Sequence, residues 1–120
     1  MGLEAGVLKI ELKFKNKILT KLETEKPEIT IGRSSSADIQ IDNLAVSKRH
    51  ARIIKHRNQY SVEDLDSTNG TFLNDEKIVK AVLKHNDVVA IGKHSLRISH
   101  EKNSKKPIPD FGDRTIKVKK

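Results

Sequence analysis

Three short stretches of this chain gather the side chains best suited to holding an anion. Ile31-Gly32-Arg33-Ser34-Ser35-Ser36-Ala37-Asp38-Ile39 brings a guanidinium and three hydroxyls. Leu44-Ala45-Val46-Ser47-Lys48-Arg49-His50-Ala51 brings a hydroxyl, an ammonium, a second guanidinium and an imidazole. Leu65-Asp66-Ser67-Thr68-Asn69-Gly70-Thr71-Phe72 adds hydroxyls and a carboxamide. Such a set suits a phosphate. Arginine presents a planar bidentate fork, and hydroxyls and backbone N–H groups fill the remaining lone pairs. Gly32-Arg33-Ser34-Ser35-Ser36 is not followed by Gly-Lys-Ser/Thr or by a helix, which excludes a nucleotide-binding P-loop.

The same residues make a poor catalyst. Ser47, His50 and either Asp64 or Asp66 could be written as a hydrolytic triad, but no Gly-x-Ser-x-Gly elbow surrounds Ser47 and no oxyanion hole is visible. A serine flanked by Lys48 and Arg49 is placed to receive an anion rather than to attack a carbonyl. The chain is therefore expected not to be an enzyme. Cysteine is absent, which excludes disulfides, thiolate catalysis and cysteine-ligated zinc. His56, His85, His94 and His100 are scattered, with none at i, i+4 spacing, so no metal and no cofactor are expected.

The elements that must position these loops are strands. Leu8, Ile10, Leu12 and Phe14 alternate with Lys9, Glu11 and Lys13, the mark of a half-buried strand. Ile18 to Leu22 reads as its hairpin partner. Short strands follow at Ile29 with Ile31, and at Ile39 with Ile41. Ala51 to Lys55 and Tyr60 to Leu65 flank a turn at His56-Arg57-Asn58. Thr71 to Leu73 and Lys77 to Val79 flank a turn at Asn74-Asp75-Glu76. Val88 to Ile91 and Ser95 to Ile98 flank Gly92-Lys93-His94. No segment has a helical apolar face. Many short strands with turn signals every 8–12 residues predict an all-β sandwich.

At 120 residues the chain fits one domain. Residues 1–6 read as a disordered N-terminus or a cloning remnant, 7–99 as the folded domain, and 100–120 as a flexible extension containing two prolines and a glycine. The net charge is +8, and residues 101–120 hold seven basic and three acidic residues, half of the excess. A basic tail can hold an anionic partner, so binding of nucleic acid or of an acidic protein is the alternative function. With aromatics at 3%, the chain lacks the stacking surface that single strands require, and no helix is available to read a groove, which makes nucleic acid the weaker reading. No apolar run approaches a membrane span, and neither a secretory signal nor a myristoylation pattern is visible. A cytoplasmic, intracellular location is expected.

The ordered array GRSSSADIQI, SKRHARI, YSVEDLDSTNGTFLN and LKHNDVVAIG resembles the forkhead-associated (FHA) domain over residues 7–99. The resemblance implies a β-sandwich of about eleven strands in two sheets that binds phosphothreonine peptides through loops at one end. It implies that Arg33 and Ser47 hold the phosphate, with Thr68 and Lys48 assisting. It places Asn69 on the peptide backbone beside the phosphothreonine and Ser35 on the peptide main chain. Gly32, His50 and Gly70 would be architectural, with His50 bracing the second loop against the third. The function implied is an adaptor in Ser/Thr-kinase signalling, and the partner a phosphothreonine protein that is a kinase or a kinase substrate. Specificity would depend on the regions around Ala45-Val46 and Lys93-His94, the small Ala45-Val46 pair admitting an aliphatic side chain three residues after the phosphothreonine. Thr115, with Val118 three residues later, is a candidate phosphorylation site for self-association through the tail.

Overall fold

The computed structural model describes residues 7–100; the expectations for residues 1–6, for all of the 100–120 extension but His100, which ends the last strand, and for Thr115 lie outside them. Eleven strands follow in order: β1 (Leu8–Phe14), β2 (Lys17–Thr24), β3 (Glu28–Gly32), β4 (Ile39–Gln40), β5 (Ala51–His56), β6 (Gln59–Asp64), β7 (Thr71–Leu73), β8 (Glu76–Ile78), β9 (Lys80–Leu83), β10 (Val88–Ile91) and β11 (His94–His100). One sheet runs β2-β1-β11-β10-β7-β8 and the other β4-β3-β5-β6-β9. The all-β sandwich of eleven strands in two sheets is the fold the sequence led us to expect.

Alternation makes the two layers. In β1, Leu8, Ile10 and Leu12 are buried while Lys9 is exposed. Opposite them on β11, Leu96 pairs with Leu12 and Ile98 with Ile10, and both are fully buried. The second sheet returns Ile29 and Ile31 from β3, Ile53 from β5, and Tyr60 and Val62 from β6. Each fully buried aliphatic side chain contributes about 1.5–3 kcal/mol. With so few aromatics, this aliphatic stack is the main glue.

Strand direction gathers the loops. β3 pairs antiparallel with β5, and β5 with β6, so the end of β3, the start of β5 and the end of β6 lie together. In the other sheet Ile91 pairs with Thr71, which brings the β10–β11 turn to the start of β7. The first loop (33–38), the second (41–50), the third (65–70) and the Gly92-Lys93 turn therefore share one end. A short parallel pairing of Ile31 with Ile39 and Gly32 with Gln40 folds the first loop back on β3.

The structure differs from expectation at several strand ends and at one whole strand. β9 had no counterpart in the sequence reading, which closed that hairpin at Val79. Glu76 belongs to β8 rather than to a turn: the turn is Asn74-Asp75, with φ of 49° and 74°, the pair of left-handed residues that a two-residue hairpin needs. Likewise His94 opens β11, and Leu65 lies beyond β6.

Candidate functional site

The first loop leaves β3 at a point of close backbone contact. A Cβ on Gly32 would stand 2.1 Å from the Lys48 carbonyl oxygen, so no other residue fits there without moving the second loop. The amides of Arg33 and Ser34 then donate to the carbonyls of Ser47 and Lys48, at 2.9 and 3.2 Å. Arg33 is held a second time, its Nε donating to the Val46 carbonyl at 3.0 Å. The two Nη groups have no partner among the described residues and stay available as a fork.

His50 joins the second loop to the third. Its side chain is fully buried. The Ser47 amide donates to Nδ1 at 3.1 Å, which makes Nε2 the protonated nitrogen, and Nε2 donates to the Gly70 carbonyl at 2.9 Å. A neutral imidazole thus spans both loops.

Two further bonds cross the same gap. The Thr68 amide donates to the Ser47 Oγ at 3.0 Å, and the Asn69 Nδ2 donates to the Ala45 carbonyl at 2.8 Å. Ser47 keeps its hydroxyl proton for another acceptor, and Asn69 keeps its carbonyl oxygen and one N–H. Beneath the third loop, Asp64 accepts from the Ser67 amide, the Ser67 hydroxyl and the Thr71 hydroxyl. Burial alone would raise the Asp64 carboxyl, but these bonds outweigh it and hold it below the usual carboxylate value. Gly70, with φ of 88°, makes the turn into β7, and its amide donates to the Ser67 Oγ.

The result is an open concavity of about 320 Å3. Arg33, Ser47, Lys48, Thr68 and Asn69, all singled out in the sequence, line it together, and no carboxylate does. Ser35 is not part of this lining. It is exposed at the tip of the first loop, while Ser34 and Ser36 bond to each other at 2.8 Å and line a smaller neighbouring hollow. The remaining wall is Leu44, Ala45 and Val46. Val46 is only 1% exposed, so its side chain cannot serve as a reading surface, whereas Leu44 is 91% exposed. Leu44 is the lining residue the sequence reading passed over. A lone leucine in a loop carries no periodic signal, and only its exposure beside the cationic residues marks it out.

Comparison with known proteins points the same way. The FHA domain family matches residues 29–92. The glycogen accumulation regulator GarA of Mycolicibacterium smegmatis is 34% identical over 95 residues, 79% of this chain and 60% of that protein. The oxoglutarate dehydrogenase inhibitor of Corynebacterium jeikeium is 42% identical over 65 residues, 54% of this chain and 45% of that protein. The chain spans at most three-fifths of the length of these relatives. Among solved structures, Mycobacterium tuberculosis EmbR in complex with a low affinity phosphopeptide superposes with a TM-score of 0.72 at 26% identity, covering 82% of this chain and 25% of that one.

Proposed function

The chain belongs to the FHA domain family, and on that footing we propose that it is a phosphothreonine-dependent peptide-binding module, an adaptor in Ser/Thr-kinase signalling. The observation that carries this reading is the concavity at the shared loop end, where five polar side chains from three loops converge without a carboxylate. A dianionic phosphate placed there meets the free Nη fork of Arg33, the Ser47 hydroxyl proton and the Lys48 ammonium. Charge-assisted bonds of this kind contribute about 1.5–3 kcal/mol each. The Thr68 hydroxyl closes the ring, and the spare Asn69 amide groups meet the peptide backbone. Ser35, at the tip of the first loop, meets the peptide farther out. Gly32, His50 and Gly70 hold the loops in place.

The module is a binding element rather than a catalyst. Both His50 nitrogens are engaged, Nδ1 by the Ser47 amide and Nε2 by the Gly70 carbonyl, so the imidazole has no lone pair left to take the Ser47 hydroxyl proton. The partner is a phosphothreonine protein, a Ser/Thr kinase or one of its substrates. Among the described residues no helix is long and apolar enough to cross a membrane. Calorimetric titration of a degenerate phosphothreonine peptide library beside its unphosphorylated counterpart tests the reading. Saturable binding is expected of the phosphorylated library alone, with weak dependence on salt. Equal binding of both, or a steep fall with salt, points instead to a general anionic partner such as nucleic acid.

A further inference from the structure

Three of the four edge strands among the described residues are short: β4 has two residues, β8 three and β9 four. The fourth, β2, has eight, and none of its side chains is fully buried. An edge of that length offers a row of backbone N–H and C=O groups to any strand that can lie against it. Its pairing with β1 is regular over residues 20–24. Thr20, Leu22 and Thr24 stand opposite Leu12, Ile10 and Leu8 on the core-facing side, and Lys21 and Glu23 stand opposite Glu11 and Lys9 on the outer side. Next to Thr20 the register slips, and Leu19 has no opposite residue.

We infer that this edge is a self-association surface whose occupant is the β2 strand of a second copy of the chain, antiparallel and related by a two-fold axis through Leu22. Charge and register name that partner. A two-fold strand pair keeps each side chain on its own face, so opposite residues have numbers of fixed, even sum. An axis through Lys21 sets lysine against lysine, and one through Glu23 sets glutamate against glutamate. An axis through Thr24 sets Glu23 against the partner's Glu25, and one through Thr20 runs into the slip at Leu19. With Leu22 on the axis, Lys21 meets the partner's Glu23, Glu23 meets the partner's Lys21, and Thr20 meets the partner's Thr24. The outer charges then alternate across the joint: Arg97, Glu11, Lys21, the partner's Glu23, the partner's Lys9. Lysine on an edge ordinarily discourages an incoming strand, but here glutamate two residues on answers it. Thr24 lies opposite Leu8, and Leu8 opposite His100, at the end of β11 away from the loops, so the anion seats of both copies stay open.

So short a pairing makes a weak contact, and the test looks for it at high concentration. Sedimentation velocity of the full chain is measured from about 10 μM to about 1 mM, at low salt, where exposed charges are least screened. The wild-type chain should pass from monomer toward dimer over that range. Lys21→Glu sets glutamate against glutamate at both crossings, and Glu23→Lys sets lysine against lysine. Like charges directly opposite oppose pairing, so each variant alone should associate at least about fivefold more weakly. Both positions are exposed, and the fold tolerates either change. An equimolar mixture of the two variants restores both opposite-charge crossings and should associate within about twofold of wild type. A wild-type chain that stays monomeric throughout, single variants that associate like wild type, or a mixture no stronger than its components each overturns the inference.

Discussion

The Nε2–H of His50 donates to the Gly70 carbonyl at 2.9 Å, tying together two loops twenty residues apart in the chain. Because Nδ1 is occupied by the Ser47 amide, the ring is a two-ended brace with no spare polar atom. Replacing it with alanine leaves that amide and that carbonyl unpaired, at about 1–3 kcal/mol each, and opens a cavity as well. His50→Ala should lose about 3 kcal/mol or more, a fall in Tm of at least about 12 °C for a domain of this size. Thermal unfolding followed by circular dichroism reads this directly, and a fall under about 4 °C would show that the brace is dispensable.

Arg33 should behave in the opposite way. Arg33→Ala forfeits one bond to Val46 within the fold, about 0.5–1.5 kcal/mol, but the whole fork toward the phosphate. Phosphopeptide affinity should fall at least ~30-fold with only a small change in Tm. Arg33→Lys keeps the charge and loses the planar fork, so it should restore little of the affinity. Affinity within twofold of wild type in either variant places the phosphate elsewhere.

The ligand's own titration gives a separate handle. A phosphothreonine has a second pKa near ~6, and a seat with this many donors favours the dianion. Affinity should drop about tenfold between pH 7 and pH 5, measured by fluorescence anisotropy with a labelled peptide. A flat profile would be incompatible with dianion recognition.

Asp64 should make stability depend on acidity in a range far below that one. Its folded-state pKa is lowered, burial opposing and the Ser67 and Thr71 bonds prevailing. A lowered value in the folded state stabilises the fold fully above the unfolded pKa near ~3.9, and the gain is lost as pH falls through the folded value. Asp64→Asn should therefore be less stable than wild type at pH 7, with the gap closing below about pH 3.5. Urea unfolding at pH 7, 5, 4 and 3 checks this; a gap of constant size across the series rules out the ionised carboxylate as its source.

The sequence was most legible where one face of a strand is wet. Leu8, Ile10 and Leu12 announce β1 because lysine and glutamate separate them, and the same holds for β5, β6 and β11. β9 escaped notice because its apolar run Ala81-Val82-Leu83 does not alternate with polar residues. Its outward Val82 is 45% exposed, against the pattern a reader expects. Loop chemistry was legible as residue type, since Arg33, Ser47, Lys48, Thr68 and Asn69 do meet around one hollow. The tethers were not: Arg33 to Val46 spans 13 residues and Asn69 to Ala45 spans 24, and such meetings depend on the register of strands between them. For the same reason the sequence does not show that packing against the Gly92 turn buries Val46 and leaves Leu44 outermost.

The near-contact of Gly32 with the Lys48 carbonyl divides the second loop into two parts with different fates under change. From Ser47 to His50 the backbone is clamped against β3 and the third loop, so an altered residue there disturbs the seat itself. Residues 43–45 hang outside the clamp, closed by their own turn and pinned at one carbonyl by Asn69. Such a tip can be exchanged by grafting while the anion seat stays as it is. A change of side chain at Leu44 thus alters the rim of the concavity while the backbone bonds of the clamp stay in place.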